Sequence, residues 1–264
     1  MFYEEKEFSY RAIFEIGMAK SKLDARLLRL GLFFFARFAI LARVDAIVAF
    51  RTNIEFHGRS MLPLTVDDLL PLEEYAARRK EFFDAHRRYV DRYRRIRIGP
   101  KLTLVFENRQ TLWFRVQEVM RIARLATDNE VQAELGLYNR LLPTRNLFQA
   151  ALLIDIDATR FASEMATWGS LEGNQLELHV GSSITPARLV TSRPEDRAIG
   201  TAHWVQFIIG ADVRKQFANF NLRTFFRFEN ESYQHSSPLL SDDLRQSLID
   251  DLVLSDRDNE KRAG

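Results

Sequence analysis

The chain of 264 residues has 46% hydrophobic and 28% charged residues, a composition typical of a globular protein with one large domain or two small ones. Its formal net charge of +2 gives the whole molecule no strong attraction to nucleic acid or acidic lipid. The absence of cysteine excludes disulfides, a cysteine nucleophile, and metal or iron–sulfur sites that need thiolate ligands.

Residues 1–60 differ in character from the rest of the chain. The window 27–50 is the most apolar one, but charged residues interrupt it and exclude a membrane span. On a helical projection, the basic residues of segment 22–51 form one stripe, as in a helix that lies in a membrane interface. Two other interpretations stay open: a helix that binds a partner chain, and an untranslated segment with Met61 as the true start. We expect membrane contact only if segment 22–51 belongs to the protein, and a cytoplasmic location.

The stretch 61–142 is predicted to be mainly helical, with one embedded strand. Apolar residues that recur every seven positions predict the first helix, and Gly99-Pro100 ends it. Asn108 is a suitable N-cap for the next helix, and Asp128 or Asn129 for the third. The predicted elements are a helix from 72 to about 95, a strand at 102–106, a helix at 109–126 and a helix that ends at 141.

The second half of the chain alternates strands with irregularly placed helices, which favours an α+β fold with a mainly antiparallel sheet. The predicted elements are strands at 148–156, 175–180, 187–191, 202–209 and 222–228, and helices at 157–168, 212–219 and 242–253. Residues 61–254 are predicted to form one domain, and 255–264 a solvated tail.

The triplet Glu107-Asn108-Arg109 lies where the first strand runs into a helix. A carboxylate, an amide and a guanidinium at this junction would be able to bind a ligand beside a helix N-terminus that favours anions. In the alternative interpretation, Asn108 only caps the helix while Glu107 and Arg109 pair across the turn.

Gln117 and Glu118 follow on the same helix, beside its apolar stripe. Glu118 is either paired with a neighbouring arginine, Arg115 or Arg121, or available to a metal ion. With His203 and His235 it would form a His/carboxylate site for a transition metal, although no short spacing supports that set. His203 is otherwise a hydrogen-bonded core residue, since strand alternation places it on one face with Val205 and Phe207.

Nine lysines and arginines lie between residues 78 and 97, a pattern that suggests nucleic-acid binding. The nearby tyrosines lie on or next to the apolar stripe of the helix, so we expect them to be packed. The acids of the final helix are candidate partners for these arginines, which makes nucleic-acid binding the less favoured interpretation. Those acids are Asp242, Asp243, Asp250 and Asp251.

Several segments carry a family resemblance: LTVDDLLPLEEY at 64–75, GPKLTLVFENRQTLWFRVQEVMRIAR at 99–124, LGLYNRLLP at 135–143, AALLIDI at 150–156 and AHWVQF at 202–207. Over about 61–252 the chain resembles the domain of unknown function 3501 family of bacterial proteins. The resemblance implies an association with rubrerythrin and with iron–sulfur oxidoreductases of the heterodisulfide-reductase type. The leading hypothesis is therefore an accessory, partner-binding protein of a bacterial redox or peroxide-defence system. The alternatives are a small His/carboxylate metalloenzyme and a nucleic-acid-binding module.

Overall fold

The structure is a computed structural model that describes residues 61–125, 127–156, 168, 171–190 and 202–263. The predictions for residues 1–60 lie outside these described residues, as does the predicted helix at 157–168 apart from Trp168. Within the described part of the chain, no helix combines the length and the apolar character needed to cross a membrane.

The described residues form the following helices and strands. The helices are α1 (Leu72–Tyr93), α2 (Arg109–Ala123), α3 (Asp128–Tyr138), α4 (Ala211–Phe217) and α5 (Asp242–Ala263). The strands are β1 (Arg95–Ile98), β2 (Leu102–Phe106), β3 (Leu147–Ile154), β4 (Leu176–Val180), β5 (Ser183–Leu189), β6 (Ala202–Ile208), β7 (Thr224–Glu229) and β8 (Gln234–Ser236). Short 3₁₀ turns lie at Val66–Asp68 and Asn139–Leu141.

The strands form one eight-stranded antiparallel sheet in the order β1-β2-β3-β6-β5-β4-β7-β8. The sheet curls into a nearly closed barrel, and Tyr233 connects its two ends. The Tyr233 hydroxyl donates to the Ile98 carbonyl at 2.5 Å and accepts from the Lys101 amide at 3.0 Å. Side-chain contacts thus bridge the edges that strand pairing leaves open.

Two cores lie on the two faces of this sheet. The inner core is rich in aromatic residues such as Phe106, which packs against Phe226 at 5.5 Å between ring centroids. Leucines of α5 four residues apart complete this core, as expected for one face of a helix. The outer core lies where α1, α2 and α3 cover β2, β3 and β6, with Trp204 among its members. The three N-terminal helices are therefore held against the barrel.

The structure confirms the α+β class, the bounds of β2 and the antiparallel sheet, but corrects several predicted elements. The N-terminal half contains a second strand, because the chain leaves α1 at Tyr93 and β1 pairs at once with β2. The strand β5 begins at Ser183 instead of residue 187, since it forms a hairpin with β4. The N-cap of α3 is Thr127, whose side chain accepts from the Glu130 amide.

The last helix shows the largest difference from the prediction. It continues to Ala263 instead of ending near residue 253, so most of the expected solvated tail is helical. Ser255 and Asp258 are buried there, and the Asp258 carboxylate accepts a hydrogen bond from the Met61 amide at 2.6 Å. These contacts are polar, so an apolar periodicity does not reveal them.

Candidate functional site

The three residues of the strand-to-helix junction have separate partners. Glu107 is buried, and its two carboxylate oxygens accept from Arg115 Nη2 at 2.5 Å and from Thr111 Oγ1 at 2.6 Å. Arg109 instead pairs with Asp68, 2.7 Å from Nη2 to Oδ1. The predicted pairing of Glu107 with Arg109 is therefore wrong, because each has a better-placed partner on another turn or segment.

Asn108 is confirmed as the N-cap of α2. Its Oδ1 accepts from the Thr111 amide at 3.1 Å, while Thr111 Oγ1 accepts from the Asn108 amide at 2.9 Å. Its Nδ2 donates to the Tyr89 hydroxyl at 2.9 Å. The amide therefore joins the start of α2 to α1.

Glu118 has three partners on two helices. Its carboxylate accepts from the Tyr75 hydroxyl at 2.8 Å, from Arg79 Nε at 2.9 Å and from Arg121 Nη2 at 3.1 Å. Burial raises the pKa of this carboxyl, but the hydrogen bonds and charges of Arg79 and Arg121 outweigh burial and hold the pKa below its usual value. The salt-bridge interpretation is confirmed for Arg121, whereas Arg115 pairs with Glu107.

Gln117, the neighbour of Glu118, is completely buried. Its Nε2 donates to the Leu70 carbonyl at 3.5 Å, and its Oε1 has no hydrogen-bond partner among the described residues. It lies in the helical layer and shares no partner with Glu118 in the described contacts.

The proposed metal ligands Glu118, His203 and His235 do not come together. Glu118 is on α2, outside the barrel. His203 is buried on β6 opposite Leu152, and His235 is exposed on β8 beside Tyr233. Within the described residues, no three His, Asp or Glu side chains are grouped to hold a metal ion.

Several buried titratable groups of the described residues were not identified from the sequence, among them a histidine, a tyrosine and a glutamate. Burial lowers the pKa of His86, which stacks on Phe114 at 3.9 Å, to about 3, so this imidazole is neutral near pH 7. Burial raises the pKa of Tyr138 to about 12. Burial also raises the pKa of Glu134, whose Oε2 has no hydrogen-bond partner in the described structure. No local sequence signal distinguishes these residues from exposed polar ones.

A buried ion pair joins the end of α1 to α5. Arg94 is only 2% exposed, and its guanidinium binds Asp251 through both terminal nitrogens. Its Nη2 also donates at 2.8 Å to the hydroxyls of Tyr89 and Ser247. Burial opposes the charge on Arg94, but attraction to Asp251 and Tyr89 raises the pKa of the guanidinium above its ordinary value.

The expected internal pairing of the basic segment is confirmed for several of its members. Arg79 binds Glu118 on α2, while Arg92 and Arg94 bind Asp243 and Asp251 on α5. Lys80 on α1 and Arg95 at the start of β1 each pair with an acidic residue of α1 that lies four positions away in sequence. These contacts account for much of the charge that suggested nucleic-acid binding.

An open pocket of about 360 Å³ lies between α1 and α5. It is lined by Tyr89, Tyr93, Asp243, Gln246, Ser247 and Asp250. The two tyrosines are one turn apart, and the four α5 residues lie on one helical face because of their spacing. The hydroxyls of Tyr89 and Ser247 also accept from the buried Arg94, so the pocket lies directly over the Arg94–Asp251 pair.

This pocket was not foreseen from the sequence. Asp243 and Asp250 were considered only as partners for arginines, and the tyrosines only as packed residues. The helical spacing of the α5 residues was the available signal, but it does not show which helix lies opposite.

Comparison with known protein families matches residues 63–252 to the family described as "Protein of unknown function (DUF3501)". A similar solved structure is that of a novel protein of unknown function from Burkholderia pseudomallei K96243. It has a TM-score of 0.67 and 24% identity, over 72% of this chain and 100% of that chain, which shows the shared fold alone. No curated protein matches the chain.

Proposed function

Given that the chain belongs to the DUF3501 family of proteins of unknown function, we propose that it is an accessory protein that binds a partner protein. The observation that supports this proposal is the open pocket between α1 and α5, with two tyrosines on one wall and polar groups on the other. Aromatic rings beside hydrogen-bonding groups are typical of protein-binding surfaces.

The contacts of the candidate catalytic residues favour binding over catalysis. A general acid or base must lie within hydrogen-bond reach of the substrate proton that it transfers. Glu107 is enclosed by Thr111 and Arg115, and Glu118 by Tyr75 and two arginines. Glu107 ties the strand-to-helix junction to α2, and Glu118 joins α1 to α2, whereas the pocket is open to an incoming molecule.

We further propose that the partner belongs to a cytoplasmic redox or peroxide-defence system. A rubrerythrin-like protein and an iron–sulfur oxidoreductase are the two candidates that the family resemblance supports. Because the chain has no cysteine, any thiolate-bound iron centre in such a pair would belong to the partner.

Calorimetric titration of the full chain with each candidate, taken from the same genome, tests the proposal. We expect one candidate to bind saturably, and Tyr93→Ala to weaken binding about tenfold, the effect of removing about 1.4 kcal/mol of contact energy. Phe220→Ala is the control, since it removes a partly exposed aromatic ring that does not line the pocket. The proposal fails if neither candidate binds, or if the two variants weaken binding equally.

A further inference from the structure

We infer that the α1–α5 pocket receives a basic side chain, arginine or lysine, that the partner protein presents. The inference rests on the proposed function and specifies which chemistry the pocket recognises. It follows from the charge of the pocket walls, from a cation already present at its rim, and from the contacts beneath it.

The walls of the pocket carry negative charge. Among its six lining residues, two are carboxylates and none is a lysine or arginine. Asp250 accepts from Gln246 Nε2 at 2.8 Å, and no lysine or arginine of the described residues forms an ion pair with it. Asp250 is exposed, so its carboxylate is accessible to an incoming cation. A phosphate group or an acidic peptide would be repelled at the same place.

The rim of the pocket already shows how a guanidinium is held there. Arg92 donates from Nε to the Asp243 carboxylate at 2.8 Å, and its guanidinium carbon lies 5.1 Å from the centre of the Tyr93 ring. A carboxylate and an aromatic face thus share one cation. Asp250 lies seven residues after Asp243, about 10 Å along the same helical face, and offers a second carboxylate near the same tyrosines.

The base of the pocket is held in place before any ligand arrives. Arg94 fixes the hydroxyls of Tyr89 and Ser247 from below, and the tyrosine rings lie 5.4 Å apart. Arg94 and Asp251 carry opposite charges, as do Arg92 and Asp243, so Asp250 supplies the carboxylate charge in the pocket that no ion pair of the described residues balances. A volume of about 360 Å³ accommodates one long side chain, and the fixed walls lower the entropy cost of binding it.

Titration of the full chain with argininamide, followed by backbone amide chemical shifts, tests the ligand chemistry directly. Norleucine amide, which has the same α-ammonium group and a similar length but no guanidinium, is the control probe. We expect argininamide alone to shift the amides of Gln246, Ser247 and Asp250. The shifts should disappear in Asp250→Asn and persist in Glu231→Gln, a control that removes one exposed carboxylate charge outside the pocket. Equal shifts from both probes, or shifts that Asp250→Asn leaves intact, overturn the inference.

Titration of the partner protein distinguishes this inference from the proposed function. We expect Asp250→Asn to weaken partner binding about fivefold, as for a partly exposed ion pair, and Glu231→Gln to leave it unchanged. If Asp250→Asn does not alter partner binding, the inference is overturned and the proposed function still stands. If neither candidate protein binds the wild-type chain, the proposed function fails, and argininamide still decides which chemistry the pocket accepts.

Discussion

Glu118 shows how single charged residues hold the helical layer together. Its carboxylate is mostly buried between α1 and α2, where Tyr75, Arg79 and Arg121 all donate to it. Loss of this carboxylate costs more than the net value of one hydrogen bond, because the buried Tyr75 hydroxyl loses a charged acceptor and two arginines lose their ion pairs. The residue therefore acts as a link between two helices.

Glu118→Gln is expected to lower the free energy of unfolding by about 2–4 kcal/mol at neutral pH, within the range for broken buried polar contacts. The folded-state pKa of Glu118 lies below its ordinary value of 4.5. The carboxylate therefore stabilises the fold above that pH, and this contribution is lost as pH falls through the lowered pKa. Urea unfolding from neutral to acidic pH measures both effects.

The pH dependence separates a charge effect from a simple packing effect. The difference in stability between wild type and Glu118→Gln should shrink toward acidic pH, because the wild-type carboxyl then also becomes neutral. A difference that stays constant across this range would contradict the role given to the Glu118 charge. Tyr75→Phe is a milder comparison, with an expected cost of about 1 kcal/mol for one lost hydrogen bond.

Among the elements, the turn between β1 and β2 determines how closely the barrel ends approach each other. Gly99 has a φ of +64°, and a Cβ at this position would lie 2.4 Å from the Tyr233 hydroxyl and 2.5 Å from His235 Cγ. Tyr233 in turn bonds the backbone at both ends of this turn, at the last residue of β1 and at the residue before β2. A side chain at residue 99 would therefore strain the backbone and also separate the two ends.

Gly99→Ala is expected to destabilise the protein by about 2 kcal/mol, since the left-handed backbone alone costs 1–2 kcal/mol for a residue with a Cβ. Gly136→Ala in α3 is the matched control, because nothing lies within 4 Å of its added Cβ. The control should raise stability by up to about 1 kcal/mol through helix propensity. Thermal unfolding of both variants checks the prediction, which fails if they shift the midpoint in the same direction.

In the whole molecule, α5 connects parts of the chain that are distant in sequence. Its leucines fill the inner core, Asp251 binds Arg94 at the end of α1, and Asp258 binds the Met61 amide. Asp256 further pairs with Arg214 of α4 at 2.7 Å. One helix therefore contacts the barrel, the helical layer and the first of the described residues.

A chain that ends at Leu254 is expected to lose about 2 kcal/mol of stability, because it lacks the contacts of Asp256 and Asp258. If these residues were a solvated tail, their removal would leave the free energy of unfolding unchanged. Denaturant unfolding of the shortened chain decides between these outcomes. Asp258→Ala in the full chain should reproduce part of the loss, and an unchanged midpoint in both proteins would contradict the prediction.

Much of the fold could be predicted because helices and strands depend on local patterns. The bounds of β2, the start of α1 and the cap at Asn108 follow from residues within one turn or strand. The strand β1 and the end of α5 were missed, because β1 is defined by its pairing with β2 and the end of α5 by polar contacts to distant segments. At the junction, the capping role of Asn108 was predicted, whereas the partners of Glu107 and Arg109 were not.

Periodicity, caps and composition within the sequence determined the α+β class and the absence of thiolate chemistry, and a few matching segments carried the family resemblance. Only the tertiary structure decided which charges neutralise one another and where a pocket opens. Arg94 and Asp251 meet across 157 residues, and the tyrosines of α1 face Asp243 and Asp250 only after both helices pack on the barrel. Such contacts depend on the relative placement of whole elements, which local backbone preferences do not encode.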